Sequence, residues 1–309
     1  MTEATRSDPA PLPDVQVDIK PWLGLIGALC CTGIWSGFIL VSRMATFSEL
    51  TIYDVAGLRF ALAGVLVLPF AWKFWPRNLK LWQVLFLASG PGVPYALLNY
   101  AGLEFAPAAY AGVFVNGMLP IASAIVAAIW LKEMPGMVKT IGLLIVLAGC
   151  GAMAFSGGEA TGPNVWIGEL LFIASAAILG SYMVALRVWQ LSWQNLIVLV
   201  PVTNLVLFVP LWLLFLPSNV ATAPMDEILL QALYQGLGPS LIAIVTFTLA
   251  VRHLGAVPTA ALMALVPGIV AVAAIPLLGE WPITMEWIGI VAVVAGILAT
   301  LKSSGENTK

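Results

Sequence analysis

Long apolar runs alternate with brief polar interruptions along nearly the whole 309-residue chain. A helix needs about 20 mostly apolar residues to cross the hydrocarbon of a bilayer. Ten stretches meet that length, near 22–44, 51–72, 81–103, 107–131, 136–156, 165–187, 194–216, 228–252, 256–278 and 285–302. Most breaks are as short as FAPAA, KEMPG or GEWPI, and only SGGEATGPN (156–164) and LPSNVATAPMDE (216–227) read as ordinary polar loops. No room remains for a soluble domain. The pattern predicts an all-α integral membrane protein with ten transmembrane helices.

The apolar pattern also repeats. GMLPIASAIVAAIWLKEMPGMVKTIGLLIVLAG, from Gly117 to Gly149, lies without a gap over ALVPGIVAVAAIPLLGEWPITMEWIGIVAVVAG, from Ala264 to Gly296. Pro120 then falls on Pro267, Glu133 on Glu280, Pro135 on Pro282, Gly142 on Gly289 and Gly149 on Gly296. IWSGFILVSRMA in the first span matches ILGSYMVALRVW in the sixth, placing Arg43 on Arg187. GPGVPYALLNY in the third matches GPSLIAIVTFT in the eighth, placing Gly90 and Pro91 on Gly238 and Pro239. An offset that carries span four onto span nine crosses five helices, an odd number, so the two halves must run in opposite senses. The expected organisation is a disordered tail at 1–20, a five-helix repeat at 21–156, an inverted five-helix repeat at 165–302 and a short tail at 303–309. Inverted repeats are a known architecture of carriers that expose one central site to each side in turn.

Composition agrees. The chain is 61% hydrophobic and 9% charged, with a mean hydropathy of +1.00, far from the soluble average of about 25% charged. Its first twenty residues lack the basic, apolar and small-residue zones of a cleaved signal. Eleven of the thirteen lysines and arginines fall on the side of the N-terminus, Arg43 and Arg59 being the other two. Positive charge concentrates in cytoplasmic loops, which predicts both termini in the cytoplasm and an even number of spans. Cys30, Cys31 and Cys150 lie inside apolar runs and carry no redox argument.

Where chemistry resides is read from what interrupts the hydrocarbon. SGPGVP, including Gly90, Pro91 and Pro94, and its partner QGLGPS, including Gly238, Pro239 and Ser240, break two matched spans. Backbone freed in this way is tolerated at membrane depth where it is buried in protein or faces a wet cavity, and paired interruptions point to a carrier's site. Tight packing of small residues is the bland reading of any single glycine. Polar and aromatic candidates for the cavity are Trp35 and Ser36, then Tyr95, Asn99 and Tyr100, then Asn116, Ser181 and Tyr182, and lastly Tyr234, Ser240, Thr246 and Thr248. Each tyrosine or tryptophan alone is more often an interfacial anchor. Asn99 and Asn116 differ, because an unbonded amide in hydrocarbon costs several kcal/mol.

Arg59 sits about 12 to 14 Å into span two by the helical rise. A staple to another helix, or a side chain snorkelling outward, is favoured there over direct contact with the solute. Glu133 and Glu280 end spans four and nine on opposite faces, each two residues before a proline. That placement suits a cap on the helix that follows, and gating or coupling is the sharper alternative. Apart from Arg59 no lysine, arginine, aspartate, glutamate or histidine stands near the middle of any span. The path therefore suits a neutral, zwitterionic or amphipathic solute rather than a polyanion, and lacks the buried carboxylates usual in a proton pump.

Two five-helix halves, each with a proline-centred run and an E-x-P corner, together with IWSGFILVSR and LRFALAG, resemble the EamA-type members of the drug/metabolite transporter superfamily. The resemblance covers residues 20 to 302. It implies a bacterial inner-membrane exporter of amino acids and other metabolites, with a central cavity formed mainly by spans one, three, four, six, eight and nine. The many aromatic and few charged residues resemble exporters of aromatic and other neutral amino acids. Nucleotide-sugar carriers share the superfamily, but basic residues along the path are missing here. Enzymes are disfavoured: no serine–histidine or aspartate pair lies within the spans, and the single histidine, His253, cannot build a metal site. The expectation is a monomeric alternating-access carrier in the bilayer, with no cofactor, no metal and no nucleic acid. Drug or apolar-metabolite efflux and a passive channel are the alternatives.

Overall fold

The computed structural model describes residues 20–160 and 162–306. Among these, thirteen α-helices build ten membrane-length spans. Spans one and two are α1 (Pro21–Ala45) and α2 (Ile52–Phe74). Span three is split into α3 (Leu81–Ser89) and α4 (Val93–Phe105). Then come α5 (Ala108–Trp130), α6 (Met137–Ala160), α7 (Val165–Trp189) and α8 (Trp193–Phe215). Span eight joins α9 (Met225–Leu237) to α10 (Ala243–Leu254) through a π turn at Gly238–Ile242. Span nine joins α11 (Ala256–Met263) to α12 (Val266–Leu278), and α13 (Thr284–Glu306) closes the bundle.

Local signals set several boundaries. Pro21 stands at the first turn of α1, where its missing N–H is not needed. In both halves the second span opens on a capping box: Thr51 with Asp54 before α2, and Ser192 with Asn195 before α8. Each box satisfies two amides that the first turn leaves without a partner. Two expectations shift. The helix α6 runs on to Ala160, into the stretch expected to be loop, and α13 runs to Glu306, past the expected tail start at 303. The tail at 1–19, Thr161 and the last three residues lie outside the described residues.

The two halves meet most extensively along α6 and α13, and the repeat explains how. A β-carbon on Gly149 would stand 2.9 Å from the carbonyl oxygen of Gly289, and one on Gly289 would stand 2.8 Å from that of Gly149. Gly142 and Gly296 make the same mutual approach, at 2.9 and 2.8 Å. Only glycine lets the backbones come this close. Since Gly142 is the repeat equivalent of Gly289, and Gly149 of Gly296, each contact is the image of the other when the halves are exchanged. The pairing is antiparallel, earlier residue against later, so the halves are inverted about an axis through this contact. Outside it, large apolar side chains such as Trp72, Phe155, Leu214 and Phe215 stand exposed on the bundle's perimeter, the surface that acyl chains cover.

Candidate functional site

The two matched interruptions are closed by side-chain hydrogen bonds. Between α3 and α4 the backbone opens at Gly90–Gly92, and Asn204 of α8 fills the gap: its Oδ1 accepts from Val93 N at 3.1 Å, while its Nδ2 donates to Ala88 O at 3.0 Å and to Val200 O at 2.8 Å. A β-carbon at Gly92 would lie 1.7 Å from Ala88 O and 2.6 Å from that amide nitrogen, so glycine is obligatory there. In span eight the chain stays helical through the π turn, and Ser240 Oγ donates to Gln235 O at 2.9 Å. Arg59 bridges the two places. Its Nε donates to Ser240 Oγ at 3.0 Å, and its guanidinium also reaches Pro91 O at 3.3 Å and Tyr100 Oη at 3.5 Å.

Beside these breaks lies a cavity of about 320 Å³. Trp35, Arg59, Pro91, Tyr95, Asn99, Asn116, Tyr182, Pro239, Ser240 and Thr248 all contribute to its wall, among apolar neighbours such as Phe38, Leu179 and Phe247. Leu186, Leu191 and Trp193 carry the wall towards the face where the N-terminus lies. A second hollow of about 460 Å³ opens on that face around Glu133, Pro135, Lys139 and Arg187, and Met183 borders both. Towards the opposite face the cavity ends against packed rings, with Phe38 stacked 6.3 Å from Tyr95 and tilted 6.1 Å from Tyr100 between centroids. The wall thus runs on towards the N-terminal face and is closed by rings towards the other.

Other expected residues lie off the wall. The hydroxyls of Ser36, Ser181 and Thr246 donate to carbonyls one turn back on their own helices, Thr32, Ala177 and Ile242. Tyr100 is buried behind the wall and donates to Gln235 Oε1 at 3.4 Å. Tyr234 donates to Ile34 O at 3.2 Å and packs over Gly37. Of the helix breakers, Gly90 packs under the ring of Tyr182, Pro120 lies inside a continuous α5, Pro94 and Pro267 occupy first turns, and Gly238 opens the π turn. Asn204, Gln231 and Gln235, all buried in the described structure, were not singled out from the sequence.

Glu133 and Glu280 do not cap the helices that follow them. Glu280 Oε1 accepts from Arg43 Nε at 2.7 Å and its Oε2 accepts from Ala108 N at 2.8 Å, at the first turn of α5. Arg43 also donates to Leu103 O. The helix after Glu280 is served instead by Glu286, which accepts from Ile283 N at 3.0 Å. Glu133 takes a two-point grip from Arg187, at 3.0 and 3.1 Å. Arg43 is equivalent to Arg187 and Glu133 to Glu280, so these two ion pairs are images of one another on opposite faces. Their surroundings differ: the side chains are 15% and 15% exposed in the Arg43–Glu280 pair, and 62% and 51% in the Arg187–Glu133 pair. One face is sealed and the other wet.

Ten spans in two inverted halves, enclosing a cavity beside two matched helix breaks, define a multi-pass membrane transporter. The chain belongs to the EamA-like transporter family, whose pattern matches residues 22–155 and again 166–302. It is 29% identical over 217 residues to a protein of Streptantibioticus cattleyicolor named "Probable terminal-alkyne amino-acid exporter", a match spanning 68% of this chain and 69% of that one. A crystal structure titled only "Crystal structure of protein" shares the fold with a TM-score of 0.62 at 18% identity, over 94% of this chain and 100% of its own.

Proposed function

We propose that this transporter exports small zwitterionic metabolites, neutral and aromatic amino acids above all, from the cytoplasm by alternating access. The observation that carries the reading is the cavity beside the two matched breaks, its wall running towards one face and closed by rings towards the other, where an ion pair is also buried, in a chain whose halves are inverted copies. Exchanging the conformations of the halves would open the sealed face and close the wet one. The excess of lysine and arginine on the N-terminal face supports a cytoplasmic assignment for that face, and so for both termini. In a bacterial inner membrane, the present arrangement is then the one that loads solute from inside.

A volume of about 320 Å³ lies at the small end of ligand sites, which run from about 300 to 1,000 Å³. Trp35, Phe38 and Tyr95 offer ring faces to an apolar side chain, and Asn99 and Asn116 offer polar groups to the main-chain end. The name of the Streptantibioticus relative supports the same solute class. In this reading the Arg43–Glu280 pair gates the sealed face and breaks when that face opens, whereas the exposed Arg187–Glu133 pair stays formed while its own face is open.

Cells expressing the protein, fed a phenylalanine-containing dipeptide that they hydrolyse, should release free phenylalanine faster than cells carrying an empty vector. Equal release for every neutral amino acid tried would move the substrate to apolar metabolites or drugs.

A further inference from the structure

Arg59 is 1% exposed yet forms part of the cavity wall. Burying a cation is costly unless an anion or a full set of hydrogen bonds compensates it. Among the described residues no carboxylate lies within ion-pair distance of Arg59. Its acid neighbour in sequence, Asp54, is engaged elsewhere, accepting from Trp212 Nε1 at 2.9 Å, Ser218 Oγ at 2.5 Å and Asn219 N at 2.9 Å. The partners Arg59 does have are all neutral: the hydroxyls of Ser240 and Tyr100 and the carbonyl of Pro91. The rings of Phe38 and Phe60 lie 5.2 and 5.0 Å from its central carbon. A guanidinium has five N–H donors, and these three bonds leave one on each terminal nitrogen. The result is a positioned, desolvated positive charge at the closed end of the cavity with no negative charge to answer it.

We infer that Arg59 is the site for the carboxylate of the transported solute. The inference rests on the amino-acid reading above and makes it specific: a free carboxylate becomes a requirement. The amides complete the fit. Asn99 Nδ2 donates to Tyr95 O and Asn116 Nδ2 to Gly112 O, each at 2.9 Å, so each amide keeps its acceptor oxygen, beside one further N–H. Those oxygens suit an ammonium, and the guanidinium suits a carboxylate in a two-point grip. Arg59 also touches both helix interruptions at once, through Pro91 O and Ser240 Oγ. A carboxylate drawing on the guanidinium would therefore bear directly on the breaks of spans three and eight, one from each half.

The test measures binding of L-phenylalanine, L-phenylalanine amide and 3-phenylpropionate to the purified full-length protein by quenching of its tryptophan fluorescence. In the native protein the free acid should bind at least about tenfold tighter than the amide, the loss expected for one charge-assisted contact of roughly 1.4 kcal/mol. Arg59→Gln should bind the two equally, and Arg59→Lys should restore part of the ratio, which a staple role alone would not. Equal binding of acid and amide by the native protein overturns the Arg59 assignment while leaving an amino-acid carrier standing. Binding of 3-phenylpropionate but not phenylalanine keeps the Arg59 site and overturns the amino-acid reading. An undiminished ratio in folded Arg59→Gln overturns the inference outright, and the native series decides the matter if that variant does not fold.

Discussion

Replacing Glu280 by glutamine keeps the side chain's shape and removes its charge at the sealed face. Two contacts weaken together, the 2.7 Å bond from Arg43 Nε and the 2.8 Å bond from Ala108 N. Hydrogen bonds to charged groups are worth about 1.5 to 3 kcal/mol and neutral ones about 0.5 to 1.5, so two such exchanges cost about 2 to 3 kcal/mol in a pair only partly exposed. If that energy holds the face shut, the population opened there rises roughly 30- to 150-fold. The matched substitution Glu133→Gln acts on an exposed pair worth about 0 to 1 kcal/mol and shifts the equilibrium between the two conformations at most about fivefold. The assay replaces Cys30, Cys31 and Cys150, installs a cysteine at Val115 in the cavity wall, and follows its reaction with a membrane-impermeant maleimide added on the face opposite the N-terminus. Glu280→Gln should accelerate labelling from that face by more than an order of magnitude. An unchanged rate in a well-folded variant, or equal acceleration by Glu133→Gln, would refute the gating argument.

Further outcomes follow from individual contacts. Asn204→Ala leaves Val93 N and Ala88 O without their partner, a loss of about 2 to 4 kcal/mol that should lower the thermal midpoint in detergent by several degrees; an unaltered midpoint would mean the gap is closed by something else. Tyr95→Ala and Asn99→Ala should lower transport while leaving membrane insertion intact, which quantitative blotting of the membrane fraction beside an export assay checks. At the contact between the halves, Gly149→Leu drives a branched side chain against Gly289 O and should cut the yield of folded protein sharply, whereas Gly33→Leu, with open space around its β-carbon, should not.

Much of the architecture is legible from residue patterns alone, because membrane spans obey a length rule that soluble helices do not. Ten runs predict ten spans, and Gly142, Gly149, Gly289 and Gly296 already stand at matched positions before any contact between them is known. Polar residues are harder to read. Ser36, Ser181 and Thr246 satisfy their hydroxyls on their own helices, a local solution that removes any need for a cavity. The cost argument that singles out Asn99 applies equally to Asn204, whose role is hidden because its partners lie 111 and 116 residues earlier in the chain. Glu280 illustrates the same gap: local spacing suggests a cap on the next helix, while its partners sit 237 and 172 residues away. Arg59 reads as a staple from the sequence, and only the fold reveals that it also faces the cavity with no acid beside it among the described residues.

Exchange of labelled phenylalanine across liposomes containing the purified protein, with no imposed proton gradient, tests the central claim most directly. An alternating-access carrier predicts uptake that saturates and is accelerated by unlabelled amino acid on the far side. Flux that rises linearly with concentration and ignores the opposite compartment would mark a passive pore and contradict the account.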